Sequence, residues 1–253
     1  MGTAGSARRR HPAVSGPRLP DMRVGLLADA HGNSVALRAC LAELKAMRPD
    51  RVYFLGDAVG YLPDATGCLA LLEASRAVCQ QGNHEAMLLA GGVSPEREEV
   101  YRLGAARQGL GSAQLAEISE WPASREVTLG SRRLLFVHGS PQEPLTGYVY
   151  SDRDPASHLD LAYDAIVMGH THRPFSLEVG ERLMLNVGSV GLPRDVGDLA
   201  SFAVYDSATG EASIYRVGFD RDEVLARWGD EIHEQTAACL ARASDAFVGE
   251  RIA

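Results

Sequence analysis

The chain predicts an α/β fold built on a mainly parallel sheet, and three observations carry that reading. From Val24 onward, short apolar runs alternate with segments of helical period, the pattern of strands joined by crossover helices. Polar clusters follow the apolar runs directly, where open α/β sheets keep their ligand crevice. At 253 residues, 45% of them hydrophobic, the chain is long enough to bury one full core.

Residues 1–22 are rich in Arg, Pro, Gly and Ser and contain no apolar run of the secretory type, so they are expected to form a disordered basic tail. Residues 24–28 then form the first strand. Leu37, Cys40, Leu41, Leu44 and Met47 follow at helical spacing, with Asn33 as N-cap and Pro49 beyond the end. Strands are expected at 52–55 and 77–80, around a helix at 65–74. Residues 95–108 and 112–118 read as helices inserted into the domain. The second half is strand-rich: 126–129 and 133–137 flank Gly130-Ser131 as a hairpin, and 166–168, 183–187, 202–205 and 213–217 are further strands. Asp220 and Glu223 form a capping box for a last helix that carries Leu225, Trp228 and Ile232 on one face. The expected organisation is a tail at 1–22, a main domain at 23–220, and a C-terminal helix at 221–253 that packs on the domain or in an oligomer contact.

Five polar clusters lie at strand ends. Asp29-Ala30-His31 follows the first strand, Gly56-Asp57 the second, and Gly82-Asn83-His84-Glu85 the third; His138 and His170-Thr171-His172 follow two later ones. A single such His is ordinarily structural, but core histidines scattered by chance would not collect at strand ends in order. Carboxylate, amide and imidazole donors without a thiolate suit divalent first-row metals and argue against a structural zinc cage. In an extended segment residues i and i+2 face one side, so Asp29 with His31, and His170 with His172, are expected to point into one pocket. Asp29, His31, Asp57, Asn83, His138, His170 and His172 are too many ligands for one ion. Two ions about 3.5–4 Å apart, with one bridging carboxylate, would use them all.

In order and spacing these motifs resemble the calcineurin-like metallophosphoesterase superfamily, over about residues 23–217. The resemblance implies a four-layer α/β/β/α sandwich with a dinuclear site at the strand ends. It places Asp29, His31 and His172 on one metal, Asn83, His138 and His170 on the other, and Asp57 between them. The ions would be manganese, with iron or zinc as alternatives. It also makes His84 the general acid that contacts the phosphoryl group, with a metal-bridging hydroxide as nucleophile.

The sequence departs from the protein phosphatases and dinucleoside tetraphosphatases of that superfamily at two positions. Tyr61 and Gln81 stand where those enzymes carry phosphate-clamping arginines. The segments 56–61 and 186–195 resemble instead the small prokaryotic phosphodiesterase branch, where Tyr61 and Arg194 are candidate substrate contacts. A phosphodiesterase is therefore expected. Phosphomonoesterase or phosphoprotein phosphatase is the neighbouring reading, and a non-catalytic scaffold of the same fold, like the retromer sorting subunit, is the reading of another class. The intact ligand set speaks against the scaffold.

Charge and cysteines bound the partners. Lys and Arg number 25 against 33 Asp and Glu, a net of −8. The first 22 residues hold four arginines and one aspartate, which leaves −11 on the rest. Such an acidic body disfavours duplex nucleic acid. No apolar run reaches the roughly 20 residues of a membrane span. Cys40, Cys68, Cys79 and Cys239 lack metal-site spacing and read as buried thiols of a cytoplasmic protein. The expected partner is a small phosphorylated substrate; the pattern fixes no oligomeric state.

Overall fold

The computed structural model describes residues 18–153 and 162–252. The chain enters on a two-residue strand, β1 (Arg18–Leu19), and then lays down β2 (Arg23–Leu27), β3 (Arg51–Phe54) and β4 (Val78–Cys79). These three pair in parallel, connected by α1 (Ser34–Ala46) and α2 (Ala65–Ala74). Both helices start at side-chain caps: Asn33 accepts from the Ala36 N–H, and Asp64 from the Gly67 N–H. Four short helices follow, α3 (Asn83–Leu89), α4 (Pro95–Tyr101), α5 (Leu103–Gly109) and α6 (Ser112–Glu120).

The second half supplies β5 (Ser124–Leu129), β6 (Arg132–Val137), β7 (Ala165–Met168), β8 (Phe175–Val179) and β9 (Arg182–Asn186). With β1 at one edge they make a six-stranded sheet in the order β1-β5-β6-β7-β9-β8. The chain then returns to the first sheet with β10 (Leu199–Asp206) and β11 (Glu211–Gly218), and ends in α7 (Arg221–Trp228), α8 (Glu234–Leu240) and β12 (Glu250–Arg251). The first sheet runs β12-β11-β10-β2-β3-β4, with β10 antiparallel to β2.

Strand alternation sorts the side chains into layers. Val24, Leu26 and Tyr53 of the first sheet meet Leu134, Phe136 and Val167 of the second, with Tyr53 and Phe136 at 4.9 Å edge to face. Leu27 and Phe54 point the other way, into a core shared with Leu37 and Leu44 of α1 and Cys68 of α2. Central strands such as β2 and β7 are thus buried on both faces, which is why they read as continuous apolar runs. The outer face of the second sheet carries Leu135, Ile166 and Met184. Among the described residues this face is covered by Val149 and Tyr163 rather than by a helix; residues 154–161, between them in sequence, lie outside the described residues. The expected mixed α/β architecture of two packed sheets with helices is present.

Several expectations are corrected. The helix expected at 95–108 breaks at Arg102, whose left-handed φ of 54° separates α4 from α5. The expected C-terminal helix ends at Trp228, so Ile232 is buried beyond its end, Leu225 remains 36% exposed, and Val224 is the side chain that α7 buries. α8, β8 and the two-residue strands β1 and β12 were not foreseen. The tail expected over 1–22 is ordered from residue 18: β1 pairs with β5, the Arg18 side chain donates to the Gly130 carbonyl, and Leu19 and Met22 pack on the inter-sheet core. Residues 1–17 lie outside the described residues. No described helix is long and apolar enough to cross a membrane.

Candidate metal centre

The carboxyl ends of five strands converge on one pocket. β2 leads to Asp29 and His31, β3 to Asp57, β4 to Asn83 and His84, β6 to His138, and β7 to His170 and His172. All but His170, at 8% exposure, show 2% or less among the histidines and aspartates. Extended alternation is not what turns the paired residues inward. Asp29, His31, Asp57, His170 and His172 all have left-handed backbones, with φ from 49° to 65°, and Tyr61 shares this at 60°. Such conformations cost about 1–3 kcal/mol each and persist where the surroundings over-determine them. Here the loops are pinned to one another. The Asp29 and His31 N–H groups donate to the Gly56 and Asp57 carbonyls, both at 2.9 Å, and the Ser189 hydroxyl donates to the Asp29 carbonyl at 2.8 Å.

Each carboxylate is half tethered and half free. Asp57 Oδ1 accepts from the His84 N–H at 2.8 Å, and Asp29 Oδ2 accepts from the His170 N–H at 3.0 Å. Their other oxygens face imidazoles: Asp57 Oδ2 lies 3.2 Å from His138 Nε2 and 3.6 Å from His31 Nε2, and Asp29 Oδ1 lies 3.3 Å from His172 Nε2. A Cβ at Gly82 would lie 2.2 Å from Asp57 Oδ1, so only glycine lets the two loops approach.

The imidazole tautomers set where the lone pairs point. Nδ1 of His31, His138 and His172 lies against the carbonyls of Val59 (3.2 Å), Leu55 (2.9 Å) and Leu192 (2.7 Å), so each Nδ1 must carry the proton and donate. In the neutral rings Nε2 is then a lone pair. His31 Nε2 and His172 Nε2 face each other at 3.0 Å, and His138 Nε2 faces Asn83 Oδ1 at 3.1 Å. Asp29 Oδ1 and His170 Nε2 are buried without a hydrogen-bond partner. Acceptors aimed at acceptors suit a cation between them. The residues fit divalent metal in two groups, Asp29, His31 and His172 in one and Asp57, His138 and His170 in the other, whose donor atoms lie within 4.8 Å of one another.

The titration of these groups carries the same signature. Burial alone would lower the His138 imidazole, but the Asp57 and Asp29 carboxylates push it up to about 10, a proton standing where a cation is wanted. Burial would raise Asp57, yet His138 and His84 hold it well below the carboxylate range. Burial, reinforced by His138, brings His170 down to about 4. Burial likewise holds His84 below its ordinary value, against the pull of Asp57.

His84 stands beside the ligands. Its Nε2 is 4.0 Å from Asp57 Oδ2, close enough that His31, Asp57 and His84 also form a metal-sized group. Tyr61 stacks on it at 5.0 Å and 24°, Tyr101 lies at 4.8 Å, and its Nδ1 has no partner. Tyr61 also meets His31 edge to face at 4.8 Å. Gln81 is turned away, donating through Nε2 to the Ile118 carbonyl of α6. The Arg194 N–H donates to the His172 carbonyl at 3.3 Å, which sets this residue beside the ligand loop.

One residue of the third cluster organises the site in a role the sequence did not reveal. Glu85 is fully buried and accepts from the N–H groups of Asp57, Ala58 and Gly82 at 2.7–2.8 Å, and from Val59 at 3.3 Å. Burial and the Asp57 carboxylate push it up to about 7, against these donors. It fixes the turn that presents Asp57. Its place three residues after Gly82, as the acid that bonds back to a helix N-cap, was the available signal.

A two-sheet α/β fold with buried imidazoles and carboxylates converging at its strand ends presents a candidate metal site. Residues 22–210 match the calcineurin-like phosphoesterase superfamily domain, and the chain belongs to that superfamily. It is 26% identical over 219 residues to an uncharacterised protein of Methanocaldococcus jannaschii, a match covering 78% of this chain and 88% of that protein. Among solved structures it resembles a metallophosphoesterase from Sphaerobacter thermophilus, with a TM-score of 0.74 and 27% identity over 87% of this chain and 99% of the other. A hypothetical protein from Pyrococcus horikoshii shares the fold, with a TM-score of 0.77 and 19% identity over 90% of this chain and 100% of the other.

Proposed function

We propose that the protein is a dinuclear metal-dependent phosphodiesterase acting on a small phosphorylated substrate in the cytoplasm. The observation that carries this reading is the convergence of seven ligand-type residues on one pocket, in a chain of the phosphoesterase superfamily. Asp29, His31 and His172 would hold one ion, Asn83, His138 and His170 the other, and Asp57 both. Manganese, iron and zinc all suit these nitrogen and oxygen donors. Bound there, the ions supply Lewis acidity that neutralises charge on the phosphoryl oxygens.

The chain's own groups do the rest. His84 contacts the phosphoryl group, and the anionic oxygen that arrives beside it raises the affinity of its imidazole for a proton. That proton passes to the departing ester oxygen. Water adds to phosphorus, one phosphorus–oxygen ester bond breaks, and a monoester and an alcohol leave, while the proton given up by the water replaces the one lost by His84. The Tyr61 and Tyr101 rings and the Gly60 backbone hold the imidazole in place and keep bulk water from it.

Diester preference follows from what faces the phosphoryl group. A monoester dianion gains from paired guanidinium clamps, whereas a diester carries one charge and a second substituent that wants apolar or stacking contact. Gln81 is engaged with α6, and Tyr61 offers a ring face. The test compares bis(p-nitrophenyl) phosphate with p-nitrophenyl phosphate after metal reconstitution. The diester should have the higher kcat/KM, and Tyr61→Arg should move the ratio toward the monoester. A tenfold preference for the monoester, about 1.4 kcal/mol, overturns the diester assignment.

A further inference from the structure

Beside the metal centre lies a cleft of about 350 Å³, within the size range of small-molecule pockets. Its walls come from the parts of the chain that surround the strand ends: Arg97 and Tyr101 of α4, Tyr61, Arg194 of the loop after β9, Thr236 of α8, and Arg242 just beyond it. The cleft is continuous with the metal centre. Tyr61 belongs to both, stacked on His84 and edge-on to His31, and the Arg194 backbone is bonded to His172.

Three guanidinium groups in one cleft run against the charge of the whole molecule, which is net −8. Their charges are poorly compensated from within. Asp195, next to Arg194, is fully engaged by the buried Arg216 through two parallel bonds. Arg242 donates to a neutral acceptor, the Arg194 carbonyl, at 3.1 Å. Among the described residues Glu96 is the one carboxylate in the lining, and it is exposed. Thr236 of α8 lies in the same wall and is 1% exposed.

Aromatic faces accompany the charge. Tyr61 and Tyr101 lie 5.1 Å apart on the cleft wall. Close to Arg194 and Tyr101 of that wall, Tyr148 is 60% exposed, lies 4.3 Å from the His170 ring and stacks on Tyr150 at 6.1 Å and 11°. Several ring faces beside the strand ends suit a substrate with more than one stacking group. Guanidinium groups among those rings suit a phosphate carried by one of these groups.

We propose that the cleft seats the terminal phosphate of a diester substrate, so that the preferred substrate class is a short dinucleotide phosphorylated at one end. This rests on the diester reading of the metal centre. The C-terminal helix α8 then has a role at the site, as the wall that supplies Thr236 and positions Arg242.

The test uses the metal-reconstituted full chain with two probes, the dinucleotide ApA and its 5′-phosphorylated form pApA. The expected result is a kcat/KM more than tenfold higher for pApA. In the Arg97→Gln, Arg194→Gln double variant that ratio should fall to within about twofold. Hydrolysis of both probes at equal kcat/KM, or a pApA preference that survives the double variant, overturns the cleft assignment and leaves the diester reading standing. If neither probe is hydrolysed, the diester reading fails. Titration calorimetry with the same two compounds then tests the cleft directly: tighter binding of pApA, lost in the double variant, supports it, and equal dissociation constants overturn it.

Discussion

Gly60 lies against the imidazole of His84, and Gly60→Ala measures what the placement of that ring is worth. A Cβ at position 60 would lie 2.3 Å from His84 Nδ1 and 3.1 Å from the Tyr101 carbonyl oxygen. Ordinary contact begins near 3.4 Å, so the ring must retreat by roughly 1 Å, a misplacement that costs on the order of 10²-fold in rate. The backbone at Gly60 has φ of +88°, and strain there should cost about 1–2 kcal/mol. In a domain of this size that lowers Tm by roughly 2–8 °C. Metal content should be unchanged, because the altered contact is with His84 and not with a ligand. His84→Ala gives the reference: both ions retained, and kcat lower by about 10²–10⁴, with a smaller loss for substrates with good leaving groups. Steady-state kinetics on the two single variants and the double variant close the cycle. Once His84 is alanine, Gly60→Ala should cost at most about twofold more in kcat. A full 10²-fold loss in that background would refute the argument that Gly60 acts through the imidazole.

Two further outcomes follow from particular contacts. A chain beginning at Met22 loses β1 and the half-buried Leu19, worth about 1 kcal/mol, and should melt roughly 2–4 °C lower by differential scanning calorimetry; an unchanged Tm would mean that the edge strand contributes nothing. Binding of metal at pH 8 should release about one proton per chain, because His138 is protonated below about 10 in the metal-free protein and its Nε2 must give up that proton to become a ligand. His31 and His170 are held below their ordinary values and should release none. Calorimetry in buffers of different ionisation enthalpy measures the count, and zero release would contradict the role given to His138.

What could be read from the sequence divides along physical lines. The strands buried on both faces, such as β2 and β7, announce themselves as unbroken apolar runs, and α1 and α2 carry their caps in Asn33 and Asp64. The ligand residues were legible because their side-chain chemistry is unusual at strand ends. The reason they point inward was not legible: alternation in an extended segment was expected, whereas left-handed backbones at Asp29, His31, His170 and His172 do it. These conformations are imposed by hydrogen bonds between loops distant in sequence. The role of Glu85 was hidden for the same reason, since three of its four N–H donors come from residues 57–59. Short edge strands such as β1 and β12 bury too little apolar surface to leave a pattern. The break at Arg102 carries no Gly or Pro to mark it.

The account turns on the convergence of lone pairs and carboxylate oxygens around Asp57, and elemental analysis of metal content tests it most directly. Wild type and Asp57→Asn should be loaded with Mn²⁺, freed of unbound metal and compared side by side, with circular dichroism to verify that both are folded. Asn retains an oxygen to accept from the His84 N–H, so the fold should survive, but a neutral amide cannot offset two dications. The account predicts two ions per wild-type chain and loss of both from the variant. A wild type that holds one ion or none, or a variant that keeps two, contradicts it.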